Sequence, residues 1–158
     1  MKKNFIVLFM MLLLFSCSSI NDNIDNEKEY KLTSDYKNFV LTWGYNNSNS
    51  DCLMGYKLYD NGKIDFFQQY KETNKLITDS ITTIPMSKVL KILEYTNNTY
   101  LYTPALNEPG KECKYIELVK PTVNFYSKVQ WNEHNTYGSK TFRILFDTLL
   151  TLIPLNIR

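Results

Sequence analysis

Residues 54–70 read MGYKLYDNGKIDFFQQY. Two runs rich in aromatic and aliphatic residues flank Asp60-Asn61-Gly62, and the way they pair decides the fold. With Gly62 at positive φ, the three residues close a bulged hairpin. Tyr59 then stands opposite Lys63, Leu58 opposite Ile64 and Tyr56 opposite Phe66, while Lys57 meets Asp65 on the other face. Apolar meets apolar, and the charges meet as opposites. A two-residue Asn61-Gly62 loop sets Leu58 against Asp65 and Lys57 against Phe66. A shift of one residue exchanges the faces of the ladder, so the three-residue register is the expected one.

Outward from the hairpin, residues 36–45 (YKNFVLTWGY) place Phe39, Leu41 and Trp43 on one face at period two and read as a strand. Residues 46–51 (NNSNSD) read as a loop. Residues 75–84 mix polar and apolar on both faces, which suits an edge strand or an irregular segment. Ser87 can cap a helix over 88–96, where Val89, Leu90, Ile92 and Leu93 form a stripe that Asn97-Asn98 is expected to end. Residues 99–111, with Pro104, Pro109 and Gly110, read as a loop. Strands follow over 112–120 and 122–131, with Pro121 bending the chain between them, and then a polar loop over 132–138. A second helix is expected over 139–153, since Phe142, Leu145, Phe146, Leu149, Leu152 and Ile153 recur at spacings of three and four before Pro154. The expected fold is α+β: an antiparallel sheet of about four to six strands with two helices packed on one face. A chain of 158 residues, 44% hydrophobic, suits one such domain.

The N-terminus carries an address. Residues 1–17 read MKKNFIVLFMMLLLFSC: Lys2 and Lys3, then an apolar run over 5–15, then Ser16 and Cys17. This is the anatomy of a secretory signal, shorter than the ~20 apolar residues of a membrane span. Leu14-Phe15-Ser16-Cys17 resembles the lipobox of small Gram-negative bacterial lipoproteins. Phe15 departs from it, since that position is more often small. The resemblance implies cleavage before Cys17, a thioether-linked diacylglyceride on its sulfur and an acylated new amino terminus. The partner so implied is a membrane, held through the lipid anchor. In these lipoproteins an Asp after the Cys retains the protein at the inner membrane. Ser18 and Ser19 stand here instead, so the implied location is the outer membrane of the cell envelope. Asp22, Asp25, Glu27 and Glu29 match a surface-export signal only loosely, and the side of the membrane stays open. The expected organisation is a signal peptide over 1–16, the lipidated Cys17 and a flexible tether over 17–29, and a single α+β domain over 30–158. The domain also bears a weaker resemblance to uncharacterised lipoprotein domains of unknown function, through a loop with Cys, a Tyr-x-Leu-Tyr-Asp-Asn-Gly-Lys-Ile hairpin and a closing helix. That resemblance implies no activity.

Loss of Lys2 and Lys3 lowers Lys+Arg from 18 to 16, equal to Asp+Glu. A neutral chain without a basic run lacks the footprint of a nucleic-acid binder.

Little in the chain supports catalysis. His134 is the single histidine and lies in an Asn-rich loop, and there is no Gly-x-Ser-x-Gly. No catalytic residue is assigned, and no metal or other cofactor is expected: no Cys-x-x-Cys or His-Glu-x-x-His occurs. Asp60-Asn61-Gly62 begins like a calcium loop, but position twelve is Lys71, where a carboxylate is needed. Glu108, Glu112 and Glu117 lie in one region without a spacing that reveals geometry. Cys52 and Cys113 either form a disulfide, closing roughly 60 residues and contributing about 4 kcal/mol, or remain two buried thiols.

Tyrosine is abundant, with 12 in the chain, and suits interfaces because it is apolar at one end and polar at the other. Tyr100 and Tyr102, in the segment read as a loop beside the prolines, form the candidate binding patch. The expected function is a non-catalytic, lipid-anchored envelope protein that binds another envelope protein or a surface ligand. The alternatives are a small envelope hydrolase, or an inhibitor or immunity-type protein blocking a secreted enzyme.

Overall fold

A computed structural model describes residues 32–134 and 137–157. The segments expected to be a signal peptide and a tether, with Cys17, lie outside the described residues. The elements are β1 (Val40–Asn47), β2 (Cys52–Tyr59), β3 (Lys63–Tyr70), β4 (Leu76–Thr83), α1 (Met86–Tyr102), β5 (Asn107–Glu108), β6 (Glu112–Lys120), β7 (Phe125–Asn132) and α2 (Lys140–Leu150), with short 3-10 turns at Ser34–Tyr36 and Pro121–Val123. They build an α+β domain with one sheet of seven strands in the order β4-β3-β2-β1-β6-β7-β5.

The β2–β3 hairpin has the expected register: Leu58 pairs with Ile64, Lys57 with Asp65 and Tyr56 with Phe66. Gly62 sits at φ 81°, and its N–H donates to the Tyr59 carbonyl at 3.0 Å. Asp60 and Asn61 are consumed by the turn. The Asp60 carboxylate accepts the Asn38 N–H at 2.8 Å, and the Asn61 side chain accepts the Lys63 N–H at 3.0 Å.

The core lies on one face of the sheet. β1 is central, and its Leu41 stands between Leu58 and Leu118, its Trp43 between Tyr56 and Ile116. Phe39, Leu41 and Trp43 are fully buried, as their spacing required. Val89, Ile92 and Leu93 of α1 and Phe142, Leu145, Phe146 and Leu149 of α2 pack into the same cluster. Such side chains contribute about 1.5–3 kcal/mol each on burial. Trp131 anchors α2, stacking on Phe142 at 6.4 Å and meeting Phe146 edge-on at 5.8 Å.

Several boundaries differ from the sequence reading. α1 starts at Met86 with Pro85 before it, and the Pro85 carbonyl accepts the Lys88 and Val89 N–H groups, so Ser87 lies inside the helix and is not its cap. α1 also runs through Asn97-Asn98 to Tyr102, because its buried stripe continues through Thr96 and Thr99. Burial outweighs the few tenths of a kcal/mol by which Asn disfavours a helix. The seventh strand, β5, has two residues and pairs parallel to β7, so the sheet is mixed. Two residues leave no periodicity to read. β5 forms because Leu106 is buried and its carbonyl accepts the Gln130 N–H. Ser139 precedes α2 without a side-chain cap bond; its hydroxyl accepts Arg143 Nε at 2.7 Å.

Candidate functional site

The last turns of α1 make the most distinctive surface of the domain. Helical spacing divides three consecutive residues between core and solvent. Tyr100 turns inward, packs on Phe142 at 5.9 Å and donates its hydroxyl to the Ile116 carbonyl at 3.0 Å. Burial, helped by the Glu117 carboxylate and by Tyr126, pushes its pKa well above the ordinary tyrosine range. Leu101 and Tyr102 turn outward and are 74% and 83% exposed. The candidate patch is therefore a helix end and not a loop, and its two tyrosines have different places: Tyr102 is free to meet a partner, while Tyr100 belongs to a wall.

That wall bounds a cavity of about 360 Å³. Tyr36, Asn97, Tyr100 and Leu101 form one side, Lys120, Phe125 and Ser127 the other, and Thr103 and Ala105 also line it. The cavity exists because the 3-10 turns at Ser34–Tyr36 and Pro121–Val123 are tied together: the Thr122 hydroxyl donates to the Asp35 carbonyl at 2.9 Å. Asn97 Nδ2 donates to the Tyr36 hydroxyl. Tyr36 and Asn97 also border a neighbouring hollow of about 440 Å³ against Leu93 and Glu94. Lys120 Nζ lies 5.0 Å from the centre of the Tyr36 ring and 4.4 Å from that of Phe125, an ammonium held between two aromatic faces. Lys120 and Phe125 escaped the sequence reading. They are the last residue of β6 and the first of β7, and only the fold carries them to the end of α1.

The remaining candidate residues do not join this site. His134 is exposed, with Nε2 2.9 Å from a Glu112 oxygen. Glu112 begins β6 and Lys120 ends it, so the pair sits ~26 Å from the cavity at strand rise. Glu112 and Glu117 are an odd number of residues apart on one strand, so they point to opposite faces and cannot converge on a substrate. Among the described residues, no group of three or more His, Cys, Asp or Glu could hold a metal ion. No described helix is long and apolar enough to cross a membrane.

Of the two readings of Cys52 and Cys113, the structure has free thiols and not a bridge, with Cys113 buried and Cys52 half-buried. The register explains why. Cys113 pairs with Asn46 on β1, and β1 separates β6 from β2. Two strand spacings are ~9.6 Å, beyond disulfide reach. The alternation also puts the two side chains on opposite faces: Cys52 shares parity with Tyr56 and Leu58 on the core side, while Cys113 lies opposite in phase to Ile116 and Leu118. Cys113 Sγ is instead enclosed by the backbone of Gly110, whose N–H lies 2.9 Å away and whose carbonyl lies 3.1 Å away.

No protein-family model matches the chain, and no curated protein matches it at a significant level.

Proposed function

We propose that this is a lipid-anchored protein of the bacterial cell envelope, tethered at the outer membrane through Cys17, whose domain binds another envelope protein or a surface ligand without chemistry of its own. One observation carries the binding reading. Leu101 and Tyr102 present their side chains to solvent from the last turn of a helix anchored by Tyr100, so they are offered at little entropic cost. Exposed aromatics on rigid elements beside a concavity are the usual anchors of an interface. The lipobox-like Leu14-Phe15-Ser16-Cys17 supports the anchor.

Crosslinking on intact cells, with recovery through a tag at Arg158 and mass spectrometry, tests the proposal. The expected result is a partner recovered with the native chain and lost both with Cys17→Ser and with Leu101→Ser/Tyr102→Ser. A partner retained by the double variant overturns the assigned surface, and an unlipidated chain in the cytoplasm overturns the anchor. The rigid protrusion of Tyr102 also suits an inhibitor of a secreted enzyme, and a hydrolase as the recovered partner favours that reading.

A further inference from the structure

We propose that the cavity beside α1 is a binding site for a small carboxylate carrying an apolar body. The inference rests on the binding reading above and gives that surface a ligand chemistry.

Size and lining define the class of molecule. About 360 Å³ is at the small end of ligand pockets, which are mostly apolar with a few placed polar groups. Here the rings of Tyr36, Tyr100 and Phe125 supply flat apolar walls, and Leu101 extends them to the rim. The polar lining is sparse: the Asn97 amide and the Thr103 and Ser127 hydroxyls. Lys120 is the one charged residue among the lining residues.

The state of that lysine points to an anion. Lys63, Lys114 and Lys128 each have a carboxylate within 4 Å, at 3.0, 2.9 and 3.9 Å respectively. Lys120, like most of the described lysines, has none among the described residues; what sets it apart among them is that its ammonium lies over two aromatic rings with no carboxylate beside it. Those faces orient the ammonium and leave its N–H donors unspent. A carboxylate supplies the missing counter-charge through charge-assisted hydrogen bonds, which are stronger than neutral ones. An apolar body attached to it fills the walls and displaces water from them. A bare anion leaves the aromatic walls wet, and a neutral apolar molecule leaves the ammonium unpaired, so the lining selects the combination.

The test uses 3-phenylpropionate as probe and 3-phenylpropan-1-ol as its uncharged match, titrated by ligand-observed NMR into the full chain carrying Cys17→Ser. The acid is expected to bind about tenfold tighter than the alcohol. In Lys120→Met, which keeps an apolar stem, the two are expected to bind equally. In Lys120→Arg the preference for the acid is expected to survive. No binding of the acid, equal binding of acid and alcohol by the Lys120 protein, or a preference unchanged in Lys120→Met each overturns the proposal. A urea melt of each variant checks its fold, and if Lys120→Met does not fold, the acid-to-alcohol ratio of the parent decides. Failure here leaves the Leu101–Tyr102 surface standing, since that surface is read by partner capture.

Discussion

Gly44 and Gly55 pair directly across β1 and β2, and each is a glycine because the backbones approach too closely for anything else. A Cβ on Gly44 would lie 2.2 Å from the Met54 carbonyl oxygen and 2.6 Å from Gly55 Cα. Both obstacles are backbone, so a side chain must push the central strands apart. Gly44→Ala is expected to cost about 2–3 kcal/mol, read as a lower urea midpoint at unchanged slope. The pair extends into a row of four across the sheet, Phe67-Gly55-Gly44-Tyr115. Phe67 and Tyr115 are 3% and 2% exposed on a face that neither helix covers. Lysines close over both rings, Lys57 at 4.8 Å and Lys128 at 4.9 Å. The Tyr115 hydroxyl is buried without a hydrogen-bond partner among the described residues. Tyr115→Phe is therefore expected to leave stability unchanged or raise it by up to ~1 kcal/mol, whereas Tyr100→Phe forfeits a hydrogen bond and is expected to lose about 1 kcal/mol. Desolvation raises the pKa of both tyrosines above the ordinary 10.0. The unfolded chain therefore releases their protons first as pH rises. The contribution of these two tyrosines to stability should be constant below about pH 9 and fall as pH passes 10. Urea midpoints across that range should fall less steeply in the Tyr100→Phe/Tyr115→Phe double variant.

At the scale of elements, local chemistry was readable wherever it agreed with packing. The β2–β3 hairpin shows this: turn residues, cross-strand pairs and burial all specify one register, and the structure has it. β4 is an exposed edge strand over most of its length, as its unsegregated pattern implied. α1 runs beyond its expected end because Asn97-Asn98 is a weak stop signal, and the buried Thr96 and Thr99 carry the helix past it. Threonine is an ambiguous core residue in sequence. At Thr99 burial is eased because the hydroxyl returns to the Tyr95 carbonyl at 2.9 Å. Asn98 is exposed within that helix and touches no pocket wall of the α1–β7 cavity. Asn98→Ala should therefore stabilise the domain by about 0.5 kcal/mol through helix propensity alone, visible as a small rise in thermal midpoint.

For the whole molecule, strand order is the decisive fact. β2, β3 and β4 meander away from one side of β1, and β6, β7 and β5 follow on the other. This order puts β1 between the two cysteine-bearing strands. It predicts that the full chain with Cys17→Ser, unfolded without reductant, alkylates at both Cys52 and Cys113. In the folded state the half-buried Cys52 should react before the buried Cys113. Zero reactive thiols in the unfolded, unreduced chain would require a different strand order. The same order brings the β6–β7 junction to the end of α1 and so assembles the cavity.

What the sequence by itself determined are the interactions between near neighbours: the Asp60-Asn61-Gly62 turn, the two-residue alternation of β1 and β7, and the apolar stripes of both helices. Turn geometry and side-chain periodicity act over a few residues, so they are written locally. Only the tertiary structure decided which strands flank β1, that Cys52 and Cys113 face apart, and that Tyr36, Tyr100, Lys120 and Phe125 enclose one space. These depend on residues tens of positions apart being buried by the same core, and burial is a property of the assembled sheet and helices that no single segment carries.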